Sequence, residues 1–494
     1  MAFNSVPFLI FFPIVVILYY AIPKKFKSYW LLLASYYFYM SWSKKYAILI
    51  ALSTIITFFS GILIEKSRTV RGRKWVVAAS FISNLSILVF FKYFAFLLKN
   101  INVALGLVDI TPIANPFSFV LPVGISFYTF QALSYTVDVY RGSISAKKNF
   151  FDYALFVSFF PQLVAGPIER SGALLSQIER MKKESLFDYK RFVTGFSMMV
   201  WGMFMKVVIA DRISIFVDGV YGSLQAVGLV ETLLGAMAFA FQIYCDFGGY
   251  SAIAIGAANV MGFTLCENFD APYLSDSIAT FWRKWHISLS SWFRDYLYIP
   301  LGGNRKGKVR KYINLMITFL VSGLWHGAAW TYVLWGAIHG IYQVVGDLTK
   351  PVKRKINDFL GTDTKAFSHK AMKVTVTFLL TCLAWVPFRA ASISDTFRYY
   401  KCMFTRPNLW VLFDESLFSF GLNRKEVSIL FFSLIFLVAA DFLKHIKKET
   451  VGEFLYKQNL WFRWLALIAL ILACLVFGQY GVNFDSAKFI YFQF

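Results

Sequence analysis

Two histidines set in tryptophan-rich apolar sequence are the residues best suited to chemistry. His326 stands in SGLWHGAAW, between Trp325 and Gly327, and His286 stands in WRKWHISLS. A neutral imidazole can remove a hydroxyl proton near pH 7, because its ordinary pKa lies close to that pH. Polar side chains are costly inside a bilayer, so those that persist in apolar runs are functional candidates. His326 lies near the middle of an apolar stretch that follows the basic loop ending at Lys311. It is the first candidate for proton removal, with Trp325 lining the substrate and Gly327 letting it approach closely. The alternative is a structural histidine hydrogen-bonded to a neighbouring helix. His286 sits in a basic, aromatic segment of amphipathic character that is expected to dip into the membrane from the cytoplasmic side. Its role is open between substrate positioning and interfacial structure.

Other polar residues gather around these two. Asp246, in QIYCDFGGYS, places a carboxylate at expected membrane depth and needs a partner there, either Arg283, Arg294 or a backbone donor. A structural ion pair is the favoured reading over proton transfer. Arg294 and Asp295 can brace the basic segment, leaving Arg305, Lys306, Lys308 and Arg310 to meet a polyanion or to anchor topology. His339 either faces the same cavity as His326 or packs, while His369 and His445 are expected in polar loops. Five cysteines, Cys245, Cys266, Cys382, Cys402 and Cys474, lack the paired spacings of a metal site or disulfide framework. No phosphate-binding glycine loop, nucleophile elbow or HExxH motif occurs, so neither a metal nor a bound cofactor is expected.

The elements that position these residues are membrane helices. Of the 494 residues, 58% are hydrophobic, above the 45 to 50% or so of soluble domains by a similar count. A helix crosses the roughly 30 Å hydrocarbon layer with about 20 apolar residues. Runs of this kind are placed near residues 3–22, 29–42, 46–64, 75–98, 192–210, 312–325, 330–345, 372–388, 427–442 and 460–478. The net charge of +23 resides in loops between these runs, which fits membrane topology and excludes a nucleic-acid surface. The clusters at residues 66–74, 180–183, 305–311, 350–355 and 444–448 are therefore expected in the cytoplasm, with both termini outside; a basic connection at 389–425 runs against this scheme. The first run has no basic residues ahead of it and no convincing cleavage site, so it is expected to remain as a span.

Three apolar stretches, 117–139, 153–168 and 230–263, contain prolines and glycines and are expected to break as helices. Irregular backbone at membrane depth is tolerated only where protein or a water-filled cavity satisfies it, so a site inside the membrane follows. No internal repeat is visible, which lowers the case for a transporter. We read one membrane domain over residues 1–494, with N-terminal helices at 1–115, a catalytic core at 116–346 and C-terminal helices at 347–494.

The blocks FFPQLVAGPIER, QIYCDFGGYSAIAIG, FWRKWHISLSSWFRDYLYIPLGGNR and GLWHGAAWTYVLWG, with the terminal FIYFQF, jointly resemble the membrane-bound O-acyltransferase family, in the branch of the bacterial alginate O-acetyltransferase membrane component. The resemblance implies an all-α fold of about eleven spanning helices plus re-entrant segments around a central tunnel. His326 matches the family's catalytic histidine, and His286 its second histidine, which positions the donor or shapes the tunnel. Implied also are acetyl-CoA as the cytoplasmic acyl donor, a glycan acceptor outside, a separate extracytoplasmic SGNH-type acetyltransferase as partner, surrounding membrane lipids, and residence in the bacterial inner membrane. A related branch transfers D-alanyl groups from a carrier protein; a flippase or proton-coupled transporter is the rival of another class.

The charge pattern yields a topological prediction. Single cysteines placed in 66–74 or 305–311 should resist impermeant thiol reagents in intact cells and label after permeabilisation; ready labelling of either from outside would reverse the orientation.

Overall fold

Residues 1–117, 121–164 and 166–480 are described in the computed structural model. Among them every regular element is helical, with one isolated β-bridge between Phe269 and Trp285. The terminal FIYFQF lies outside the described residues, as does Ala165 within FFPQLVAGPIER.

Among the described residues seven helices are long and apolar enough to cross a membrane: Ala47–Lys66, Val70–Gly106, Tyr189–Gly222, Leu229–Val260, Phe367–Arg389, Arg424–Lys447 and Leu460–Phe477. Val6–Ala21 is apolar but shorter. The expected spans at 29–42, 312–325 and 330–345 fall on Lys27–Met40, Gly307–His326 and Trp330–Leu348. His369 and His445 are not in loops as expected: each occupies a terminal turn of a helix, Phe367–Arg389 and Arg424–Lys447. The chain groups into two compact units, residues 1–196 with 254–266, and residues 197–253 with 267–494.

In the first unit polar side chains tie the helices together where lipid supplies no partner. Ser53 donates to Asn84 Oδ1 at 2.6 Å, and Tyr153 donates to Thr57 Oγ1 at 2.7 Å. Helix Phe150–Ser158 stops at Phe159, and a single turn, Phe160–Leu163, restarts with Pro161. This is the break expected in 153–168. Its cost is offset by side chains: the Phe156 carbonyl accepts from Gln131 Nε2 at 2.6 Å and Gln162 Nε2 at 2.9 Å, while the Phe160 N–H donates to Ser35 Oγ at 3.1 Å. Interrupted helices survive at membrane depth only with such substitutes. The break in 117–139 is a turn at Gly124, φ +74°, ahead of helix Ile125–Tyr140.

The third expected break is absent. Leu229–Val260 is one continuous helix of 32 residues, and Gly248 and Gly249 lie inside it. Gly249 serves packing: a Cβ on it would stand 2.7 Å from the Gly202 carbonyl oxygen, and one on Gly202 would collide with the Gly249 carbonyl. Small residues let two backbones meet in this way inside membranes. Intrinsic propensity alone makes alanine better than glycine within a helix by about 1 kcal/mol, yet overpacking costs about 1–3 kcal/mol. Gly249→Ala should therefore lower the unfolding temperature in detergent. Gly346→Ala, in a helix where an added Cβ meets nothing within 4 Å, should hold or raise it. Equal behaviour of the two variants would contradict the close approach.

Candidate active site

Within the second unit, Gly307–His326 and Trp330–Leu348 form a tight helical hairpin. The first helix ends at His326 because Gly327 is fully extended (φ −161°, ψ 154°), and Trp330 opens the second after an extended Ala329. Glycines bring the two backbones together. A Cβ on Gly323 would strike the Tyr332 carbonyl, and one on Gly336 the Phe319 carbonyl. Gly327 likewise lies against the Tyr332 ring, where a Cβ would overlap it. The space expected for substrate over Gly327 is thus filled by this chain's own tyrosine.

His326 is buried, and aromatic rings surround it. Trp325 and Trp335 lie with centroids 5.0 Å away, each edge-on, and Phe388 at 5.3 Å. His286 is also buried, with Phe247 at 4.6 Å and Trp325 at 6.2 Å. Trp325 is therefore a neighbour shared by the two histidines predicted to matter. His339 packs in the same aromatic cluster: Trp335 is 5.0 Å away, and Trp282 Nε1 donates to His339 Nδ1 at 3.2 Å. Trp385 joins it through Trp335, stacked at 5.7 Å.

The backbone at His286 is unusual. It occupies the left-handed region, φ +43°, between the short helices Ile278–Lys284 and Ile287–Phe293, a conformation sparsely populated by non-glycine residues. Flanking hydrogen bonds hold it there. The Ile287 N–H donates to the Asn268 carbonyl, and the Asp270 N–H to the Lys284 carbonyl, both at 3.0 Å. The Asn268 side chain donates to Ser251 Oγ at 2.9 Å and accepts from Ser288 Oγ at 2.6 Å. Asn268 carries no motif that would single it out in sequence.

Asp246 pairs with neither Arg283 nor Arg294. Its carboxylate lies 2.6 Å from Lys206 Nζ, which also meets Asp211 at 2.8 Å, and all three side chains are buried. Lys206 lies in a π-helical segment, Phe204–Ala210, inside Tyr189–Gly222; the wider turn brings Lys206 and Asp211 onto neighbouring positions. The signal for Lys206 was present in sequence, a lysine within the apolar run VWGMFMKVVIA. Asp246 immediately precedes Phe247, the ring against His286, so this ion cluster fixes the wall of the histidine site. Arg283 is exposed, and Arg294 pairs with the adjacent Asp295 at 2.8 Å. Arg305, Lys306, Lys308 and Arg310 are exposed at the start of the hairpin, the opposite end of its first helix from His326. Among the described residues no group of three or more His, Cys, Asp or Glu side chains is arranged to hold a metal.

The arrangement offers a buried imidazole in an apolar cage, with a second imidazole across one indole. That set can accept and pass a proton. Residues 8–386 match the model of MBOAT, the membrane-bound O-acyltransferase family. The chain is 37% identical over its whole length, and that of the relative, to a probable alginate O-acetylase of Pseudomonas putida. It is 34% identical to a peptidoglycan O-acetyltransferase of Helicobacter pylori, over 78% of this chain and 75% of that one. A teichoic acid D-alanyltransferase of Streptococcus thermophilus is 29% identical over 57% of this chain and 72% of its own.

Removing one partner of a buried ion pair leaves uncompensated charge and costs about 3–5 kcal/mol. Lys206→Met should accordingly destabilise the protein strongly in thermal unfolding, and adding Asp211→Asn and Asp246→Asn to it should recover part of the loss. A single variant as stable as the parent would show that the cluster is not the brace described.

Proposed function

The chain belongs to the membrane-bound O-acyltransferase family, and from that premise we propose that it is an acetyltransferase acting on an exported polysaccharide or cell-wall glycan. Multi-pass membrane embedding and acyl transfer come with the family; donor, acceptor and roles of individual residues are this proposal. Its main support is the burial of His326 in an aromatic cage one indole away from His286, in a chain alignable end to end with an alginate O-acetylase. The shorter and weaker match to a D-alanyltransferase favours acetyl over D-alanyl as the group transferred.

In this reading acetyl-CoA enters from the cytoplasmic side of an inner membrane, and its phosphates are attracted to Arg305, Lys306, Lys308 and Arg310. Such attraction between exposed charges is screened over about 8 Å at physiological salt, so it bears on donor affinity more than on turnover. The thioester reaches the histidine cage through the tunnel proposed for this fold. His326 takes the proton from an acceptor hydroxyl; the hydroxyl oxygen attacks the thioester carbonyl; the C–S bond breaks, and the proton passes to the departing thiolate. His286 positions the donor, with Trp325 lining its path. The hydroxyl belongs either to the glycan or to a secreted SGNH-type acetyltransferase that passes the acetyl group on.

The test is transfer of labelled acetyl from acetyl-CoA by the reconstituted protein. General base catalysis contributes about 10²–10⁴-fold, so His326→Ala should lose at least about 10²-fold while keeping its expression and unfolding temperature. His286→Ala should lose less, chiefly through the donor concentration needed for half-maximal rate. Retained turnover in His326→Ala, or loss confined to His286→Ala, would overturn the assignment.

A further inference from the structure

The outer side of the histidine hairpin carries a feature that acyl transfer does not use. A groove of about 330 Å³ runs between its two helices, lined by Tyr312, Met316, Leu320, Ile341, Val344 and Val345 among others. The groove is apolar along its length and ends at a charged cluster. There Asp347 accepts from Lys311 Nζ at 2.6 Å, Lys350 Nζ at 2.8 Å and the Tyr312 hydroxyl at 3.1 Å. Tyr312 belongs to both parts, with its ring in the groove and its hydroxyl on Asp347. Each ammonium has three donors, and Asp347 takes one from each, so both lysines keep capacity for a second anion. Lys350 is 72% exposed.

The next element points the same way. Lys350–Phe359 is a ten-residue helix with Val352, Ile356 and Phe359 on one face, all exposed, Phe359 at 89%. Lys353, Arg354 and Lys355 flank that face. A short helix with a bare apolar face and a basic remainder lies flat in the headgroup layer. It continues directly from the cationic end of the groove, on the side whose basic loops are expected to face the anionic cytoplasmic leaflet.

We propose that the hairpin and this helix form a binding site for an anionic phospholipid, with one acyl chain along the groove and the phosphate on Lys311 and Lys350. Charge complementarity selects the occupant. A free phosphate would leave the groove empty, a zwitterionic lipid would gain little from the two ammonium groups, and an apolar helix of another chain would leave them unmatched. The lipid would brace the outer face of the hairpin that ends at His326, without touching the aromatic cage.

Native mass spectrometry of the full chain in detergent tests this, with palmitoyl-oleoyl phosphatidylglycerol and the phosphatidylcholine of the same chains as probes. Each lysine near an anionic lipid multiplies affinity by about fivefold. Phosphatidylglycerol should therefore be retained at least about fivefold better than phosphatidylcholine. Lys350→Gln, a change at an exposed side chain, should reduce that preference about fivefold, and Lys311→Gln with Lys350→Gln should abolish it. Val344→Trp, which fills the groove and leaves the lysines, should reduce retention of phosphatidylglycerol, and soluble glycerophosphoglycerol should fail to compete. Equal retention of the two lipids, or undiminished preference in Lys350→Gln, would overturn the site. So would unchanged retention in Val344→Trp, or competition by the soluble headgroup, or a dimer that Val344→Trp dissociates with lipid retention intact.

Discussion

The backbone contact between the two helices of the histidine hairpin is the constraint on which the site depends. Gly323 and Gly336 remove the Cβ atoms that would separate the helices, and the resulting approach sets His326 at the last turn of one helix against Trp335 on the other. Lipid offers no hydrophobic drive for helices to associate, so close packing has to supply it. The same device appears at Gly202 and Gly249, which fix Leu229–Val260 and, through it, the Phe247 ring at His286. One kind of contact thus positions His326 directly and, for His286, the Phe247 ring against it.

Buried polar groups brace this frame at two places. The Lys206, Asp211 and Asp246 cluster sits one residue from Phe247, so the charge balance of the interior is tied to the wall of the site. The left-handed turn at His286 is held by the Asn268 backbone and side chain. A site built on such supports has its geometry set by packing and hydrogen bonds from its surroundings.

Much of this was legible in the residues. The spacing of apolar runs marks the helices, and tryptophan beside histidine in WRKWHIS and GLWHGAAW marks the pair that share Trp325 as a neighbour in the structure. Glycine was read less well, because it has two physical uses. At Gly124 it allows a positive φ where a helix begins; at Gly249 it allows a neighbouring backbone to approach and the helix continues. Sequence alone does not separate these cases. The sequence singles out Asp246 and points to Arg283, Arg294 or a backbone donor as its partner, all sought downstream or locally, whereas the cation is Lys206, upstream in the chain on a π-helical turn that no local pattern announces. Asn268 escaped notice because its work is backbone support.

The central claim is that acyl transfer takes place at His326. A structure of the protein with a non-hydrolysable acetyl-CoA analogue, its thioester sulfur replaced by carbon, tests that claim most directly. The acetyl carbonyl should lie inside the cage of Trp325, Trp335 and Phe388, leaving room for a hydroxyl oxygen within hydrogen-bond reach, about 3 Å, of the His326 imidazole. An acetyl group bound away from that cage, with His326 shut off from it by Trp325 or Tyr332, would contradict the account.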